Sequence, residues 1–298
     1  MTDNIIKVNS VYAWMLAARP KTLTGALAPV CVALSAAWSL QGFLLWQPAL
    51  LCALFALFMQ IDANLINDYL DFQDGIDKED RLGPERACQQ GWITPRAMRL
   101  GISLVTIAAG LVGLPLIFWG GWWMVVIGVA CVIGCGLYST LARYALGDIL
   151  VIVFFGLVPV CTTYYLQVGD NPHFLIFSFS HSIILPPALA MGLVTDTLLL
   201  VNNYRDRNTD RRVGKHTIPN IIGSRATEWL YLIIGFVAVA LVIRQTLFPL
   251  LFLPIHIINW RRLCQIHEGR DLNISLGKAA QGILLFALMY SVGKICGI

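Results

Sequence analysis

Charge is scarce in this chain. Asp, Glu, Lys and Arg make up 13% of its 298 residues, about half the roughly 25% usual in soluble proteins. With 57% hydrophobic residues and a mean hydropathy of +0.71, that shortage excludes an ordinary soluble domain and leaves an integral membrane protein. No CxxC occurs, and no His stands at ligand spacing to any of the eight cysteines, most of which sit inside apolar stretches. A redox pair or zinc site is thereby set aside in favour of small buried hydrophobes. The opening MTDNIIKVNS lacks the apolar core and small-residue cleavage site of a secretory leader, so none is expected. A separate basic patch is also missing, so nucleic acid is not an expected partner.

What is present is long apolar runs. A spanning helix needs about 20 mostly apolar residues, and nine stretches qualify, near 22–40, 47–66, 98–118, 121–141, 148–167, 182–203, 227–243, 247–260 and 278–297. The seventh and eighth are the weakest, parted only by Arg244, Gln245 and Thr246. The expected fold class is all-α: a polytopic membrane bundle of about nine transmembrane helices around a central cavity, formed by one domain over 1–298. With nine spans, 19 of the 21 Lys and Arg fall on one side, leaving Arg244 and Lys294 on the other. The positive-inside rule makes that side cytoplasmic, N-terminus included. The uncharged, aromatic-rich loops SLQGFLLWQ and FWGGWW read as the opposite interfacial belt.

Two acidic stretches each follow an apolar span. NDYLDFQDGIDKEDR (Asn67–Arg81) holds six acids, and NNYRDRNTDRRVGK (Asn202–Lys215) opens with Asn, Tyr and Asp in the same places. At 100° per residue, Asn64, Asn67, Asp68 and Asp71 share one helix face, with Asp62 on the opposite one. Asn202, Asn203, Asp206 and Asp210 share a face likewise, which Asp196 continues two turns deeper. Carboxylates facing one another repel unless a cation lies between them. Oxygen ligands suit a hard cation, and Mg²⁺ takes one or two carboxylates with phosphate oxygens and water. Arg81, Arg86, Arg205 and Lys215 just beyond the acids suit phosphate. The pattern therefore predicts Mg²⁺ holding a diphosphate whose apolar tail lies between the helices: a polyprenyl diphosphate. Asp77, Lys78, Glu79 and Asp80 read equally well as solvated loop charges.

These residues resemble the UbiA superfamily of intramembrane prenyltransferases. The resemblance runs through RPKTL (Arg19–Leu23), NLINDYLD (Asn64–Asp71), GIDKEDRLGPERACQQGWIT (Gly75–Thr94), LGDILVIVFFG (Leu146–Gly156) and NNYRD…D…GKHT (Asn202–Thr217). It is strongest to the branch acting on 1,4-dihydroxy-2-naphthoate. It implies nine helices, cytoplasmic cap segments near 67–97 and 204–226, and a bacterial inner-membrane location. It also implies metal ligation by Asn67, Asp68, Asp71, Asn203, Asp206 and Asp210, with Asp77 as third acid of the first motif. The broad family pattern NDxxDxxxD wants an acid where this chain has Gly75, and Tyr138 is followed four residues on by Ala142 rather than Lys, with Arg143 beside it.

The implied reaction is a Friedel–Crafts-like alkylation of an electron-rich aromatic acceptor by the prenyl group. Asp68, Asp71, Asp206, Asp210 and Lys215 would do the central work, the cap segments would keep water from the carbocation, and the naphthoate branch loses CO₂. Arg19 or Lys21 would pair an acceptor carboxylate, though both also read as membrane-edge anchors. Asn64, Tyr138 or Asp148 would orient the aromatic ring. Other acceptors, 4-hydroxybenzoate or homogentisate, stay open. So do two readings outside the family. A secondary transporter would carry its acids at the membrane midplane, and a non-catalytic quinone- or lipid-binding subunit would need no divalent ion.

Overall fold

The nine apolar runs become a helical bundle. The computed structural model describes residues 6–73, 75, 82–169 and 183–297, and among these every regular element is a helix. A short entry helix, α1 (Val11–Ala18), is capped by Ser10. It leads through Arg19, held in the left-handed region, to Pro20, which starts α2 (Pro20–Gln41). There follow α3 (Trp46–Gln73), α4 (Pro95–Gly120), α5 (Trp123–Ala142), α6 (Gly147–Val168), α7 (Leu185–Arg212) and α8 (Ser224–Val242). The chain then forms a 3₁₀ turn, Phe248–Phe252, α9 (Leu253–Gln265) and α10 (Leu272–Cys296).

Eight of these helices, α2 to α8 and α10, are long and apolar enough to cross a membrane. The expected span at 247–260 is the exception, because α9 has only 13 residues. The chain nevertheless makes a ninth pass there. Thr246 lies against Gly293 near the end of α10, whereas Glu268, just past α9, meets Arg207 near the end of α7. The 3₁₀ turn supplies the missing length at its steeper rise of about 2 Å per residue.

Helix α7 is the most enclosed, packing against α8, α10 and α6, while α2 joins α10 to α6 and α3 rests on α4. Helices α4 and α5 lie outside. Leu100, Leu104, Ile107 and Leu111 form an exposed stripe along α4, and Val126, Val129, Ile133 and Leu137 another along α5. Bare apolar stripes at helical spacing suit contact with lipid rather than water. Exposed Trp46, Phe118 and Trp122 gather at the opposite end from the acids, where the aromatic belt was expected. The protein is a multi-pass membrane protein.

The cap segments are more helical than the sequence suggested. Helix α3 keeps residues 67–73, and α7 keeps 204–212. Neither stretch holds a Pro or Gly to stop it, and the chain turns only at Gly75 (φ 60°) and Gly214 (φ 72°). A glycine in the left-handed region is a common helix terminator.

Candidate active site

Both amide–carboxylate faces form and lie at one end of the bundle. Asp62 confirms the helical arc by pointing away, where its Oδ2 accepts a bond from the Thr106 hydroxyl of α4 at 2.8 Å. On the inner face of α3, Asp68 is 1% exposed. Its Oδ2 accepts from the Ala87 N–H at 2.8 Å and its Oδ1 from the Cys88 N–H at 3.0 Å. These two bonds dock the loop 82–94, which carries Arg86 onto Asp71 in an ion pair. Asn67 Oδ1 accepts from the Ser139 hydroxyl of α5 at 2.7 Å. Burial, and then the Asp68 charge, push the Cys88 thiol up to about 12, so it is no reactive thiolate.

On α7, the buried Arg205 spreads its guanidinium over three partners. It donates to Asp206 at 2.8 and 2.6 Å, to Asn202 at 2.9 Å and to Asn273 of α10 at 2.7 Å. Lys215 Nζ lies 3.5 Å from Asp210, and its backbone N–H closes the turn onto the Asp210 carbonyl at 2.9 Å. Asn203 is half-buried beside them.

Two links tie the motifs together. Asn273 donates to the Leu82 carbonyl at 3.0 Å, so Arg205, Asn273 and Leu82 bridge from α7 to the segment following α3. The half-buried Tyr138 lies near Asp148 from α6, Asp196 from α7 and Asp71 from α3. The helices therefore face one shared space. Below it, a cavity of about 420 Å³ runs between α2, α3, α4, α5 and α6, with Gln60 and Ala63 lining it one turn below Asn64 and Asn67, and Gly110, Gly128 and Phe154 deeper.

The remaining candidates divide. Asn64 spends both amide hydrogens on the Ala18 carbonyl (3.0 Å) and the Thr22 hydroxyl (2.9 Å), bracing the α1–α2 joint. Arg19 is half-buried at that joint, and Lys21 is exposed. Asp148 and Asp196 are both buried and lie opposite each other between α6 and α7. Asp77 and Arg81 lie outside the described residues. Ser139 and Asn273 went unnoticed in the sequence, where a lone Ser or Asn carries no signal; Asp196 had one, its place on the α7 arc.

Among the described residues, no three of His, Cys, Asp and Glu converge tightly enough to hold an ion by themselves. The donor set nonetheless suits Mg²⁺. It is all oxygen, split between carboxylates and amides of two helices, with cations alongside for the phosphate oxygens that complete such a site.

An apolar bundle with acids, amides and cations gathered at one end suits an intramembrane enzyme that acts on a charged headgroup with an apolar tail. The model of the UbiA prenyltransferase family matches residues 26–273, and the chain belongs to that family. It is a prenyltransferase. It is 36% identical over 230 residues to a 1,4-dihydroxy-2-naphthoate octaprenyltransferase of Escherichia coli, covering 73% of this chain and 70% of the relative. It is 36% identical over 238 residues to the protein of the same description from Mycobacterium tuberculosis, covering 76% and 75%. In fold it is similar to a UbiA homologue from Archaeoglobus fulgidus solved with DMAPP and Mg²⁺, at a TM-score of 0.62 and 15% identity, covering 96% of this chain and 99% of the other.

Proposed function

We propose that this protein transfers a polyprenyl group from polyprenyl diphosphate to 1,4-dihydroxy-2-naphthoate, with loss of CO₂ and diphosphate, giving demethylmenaquinol for menaquinone synthesis. Its acidic end would face the cytoplasm from a bacterial inner membrane, an orientation that the one-sided Lys and Arg favour. One observation carries the reading: the two amide–carboxylate helix ends are bridged through Arg205, Asn273 and Leu82 directly above an apolar cavity of about 420 Å³. The naphthoate is favoured because the E. coli and M. tuberculosis relatives bear that activity in their descriptions.

Asn67, Asp68, Asp71, Asn203, Asp206 and Asp210, with Asp77, would hold Mg²⁺, as the DMAPP- and Mg²⁺-bound A. fulgidus homologue supports. When bound, the metal supplies Lewis acidity to the departing diphosphate. The chain's own groups do the rest. Arg86, Arg205 and Lys215, with Arg81, bind phosphate oxygens and stabilise the charge that grows on them as the allylic C–O bond breaks. The docked 82–94 loop covers the headgroup and excludes water. The apolar cavity holds the tail. Arg19 or Lys21 pairs the acceptor carboxylate, and Tyr138 and Asp148 orient the ring.

The test incubates detergent-purified protein with Mg²⁺, a polyprenyl diphosphate and a panel of aromatic acids, with mass spectrometry of the lipid extract. A prenylated naphthoate lighter by CO₂ is expected, and EDTA should abolish it. Asp71→Ala and Asp206→Ala should remove turnover while the protein stays folded and monodisperse. Wild-type rates in either variant would withdraw the metal-site assignment, and product from 4-hydroxybenzoate or homogentisate alone would replace the acceptor.

A further inference from the structure

The Asp148–Asp196 pair is unlike the other acids. Each of Asp71, Asp206 and Asp210 meets an Arg or Lys, whereas these two meet each other. Asp148 is 6% exposed and Asp196 3%. Their Oδ1 atoms are buried and, among the described residues, receive no hydrogen from any donor. The encounter is enforced by the backbone. Helices α6 and α7 run antiparallel in near contact: a Cβ on Gly192 would meet the Ile152 carbonyl at 2.7 Å, and one on Gly156 the Ala188 carbonyl at 2.5 Å. Asp148 is one turn from Ile152 and Asp196 one turn from Gly192, both toward the acidic end, so the same close packing sets the two carboxyls opposite each other. A wide π turn, Val153–Leu157, adjoins this contact on α6; such turns gather at functional sites.

Two facing carboxyls shielded from water repel when both are ionised, which suits the pair to share a single proton. Asp148 is the charge acting on Asp196. Tyr138 of α5 feels both of them and Asp71 of α3 as well. Helices α2, α8 and α10 also pack on α7, but their charged and titratable groups (Lys21 and Cys31; Arg225, Glu228 and Tyr231; Lys278, Tyr290, Lys294 and Cys296) are not among the groups acting on the pair. Asp196 lies seven residues below Asn203, about 10 Å along the helix. That depth leaves room for one aromatic ring between the headgroup residues and the pair.

We infer that Asp148 and Asp196 together form the acceptor-hydroxyl site, a proton-sharing carboxyl pair that takes the ring-hydroxyl proton as the ring attacks and returns it afterwards. The inference rests on the prenyl-transfer reading and deepens it. The ionised carboxylate of the pair accepts the hydroxyl proton. The oxygen electron pair becomes a carbonyl, and the ring carbon bonds to the allylic carbon as its C–O pair leaves on the diphosphate. The acceptor carboxylate then departs as CO₂, its C–C electrons restore the ring, and the carbonyl oxygen takes the proton back. The pair ends in its starting state, and no other reactant is needed.

The experiment compares wild type, Asp148→Asn, Asp196→Asn and Asp196→Glu, all as full chains in detergent with Mg²⁺, a polyprenyl diphosphate and 1,4-dihydroxy-2-naphthoate. Transfer is followed from pH 5.5 to 9.5, and prenyl diphosphate binding is measured separately without acceptor. The Asn variants should lose about 100-fold or more in transfer, the usual range for a lost proton-transfer group, and lose the acid limb of the rate profile. Prenyl diphosphate affinity should stay within about twofold. Asp196→Glu should recover part of the rate with a displaced acid limb, and an acceptor with a more acidic hydroxyl should lose less in the Asn variants. Transfer within threefold of wild type with an unchanged profile would overturn the inference. So would a parallel loss of prenyl diphosphate binding, which would make the pair part of the headgroup site or of the fold. A wild-type protein that prenylates no acceptor fails at an earlier point and removes the prenyl-transfer reading itself.

Discussion

Asp68→Ala separates docking of the loop from everything else that carboxylate does. Both Asp68 oxygens are taken by the Ala87 and Cys88 N–H groups, and Ala87 and Cys88 are 2% and 4% exposed. Truncation leaves two buried donors without an acceptor, at about 1–3 kcal/mol each. Water entering the space left by the carboxylate recovers part of that, so about 3 kcal/mol is a fair expectation. At 1.4 kcal/mol per factor of ten, local opening of the loop should become more than 100-fold easier. Hydrogen exchange of peptides spanning 84–94 reads this directly, and maleimide labelling of Cys88 reads it independently because the thiol is buried when the loop is docked. Asp68→Asn keeps one acceptor oxygen and should fall between. Exchange within threefold of wild type at Ala87 and Cys88 would refute the reasoning, since among the described residues both amides donate to Asp68 alone. Fast exchange throughout the chain would instead mean global unfolding.

Three other perturbations address separate parts of the molecule. Gly156→Ala places a Cβ 2.5 Å from the Ala188 carbonyl oxygen and 2.7 Å from Gly192 Cα; helices α6 and α7 must part, and the overpacking should cost about 1–3 kcal/mol, seen as a lowered melting temperature in detergent. Gly128 lines the apolar cavity and has nothing within 4 Å of a Cβ, so Gly128→Phe should fold normally yet cut turnover of long polyprenyl diphosphates at least tenfold while sparing a ten-carbon donor; equal loss for both lengths would place the tail elsewhere. Arg205→Lys keeps the charge but not the fork that reaches Asp206, Asn202 and Asn273 together; kcat/KM for the prenyl diphosphate should fall at least tenfold, and wild-type kinetics would remove Arg205 from the headgroup site.

Part of this was legible in the sequence because it depends only on helix continuity. Asn64, Asn67, Asp68 and Asp71 share a face, with Asp62 opposed, because nothing breaks α3 before Gly75. The second motif held together in the same way as far as Gly214. The clustering of the acids at one end of the bundle was legible too, since the Lys and Arg around them mark the helix ends. Partners were not. Asp68 is held by backbone N–H groups of a loop nearly 20 residues away, and backbone groups leave no mark in residue identity. Asn64 had the right face for a substrate contact, yet its amide hydrogens go to Ala18 and Thr22, because the left-handed turn at Arg19 brings the Ala18 carbonyl beside it. The Asp148–Asp196 encounter depends on how closely α6 and α7 approach, which Gly156 and Gly192 permit but do not announce. The ninth pass was found from loop charge, although α9 by itself is too short to have been counted.

Charge balance explains why so many ionised groups can sit at the end of an apolar bundle. Asp71 pairs with Arg86, Asp206 with Arg205 and Asp210 with Lys215, so acids and bases interleave rather than forming separate patches. An isolated charge at such depth would be expensive, whereas a near-neutral lattice of pairs is tolerated, provided each member keeps its hydrogen bonds. A diphosphate carrying Mg²⁺ is itself nearly neutral. Its oxygens can take the place of carboxylates around Arg86, Arg205 and Lys215, and its metal can take the place of those cations around Asp71, Asp206 and Asp210. Exchange of one set of pairs for another leaves the net charge at the membrane edge almost unchanged. A diphosphate without metal would bring only negative charge to a site whose cations already have partners, and a metal without diphosphate would bring only positive charge to acids that are already paired. Affinity should therefore reside in the combination, which is the property required of a site that must hold the leaving group while the carbon it departs from lies in an apolar cavity.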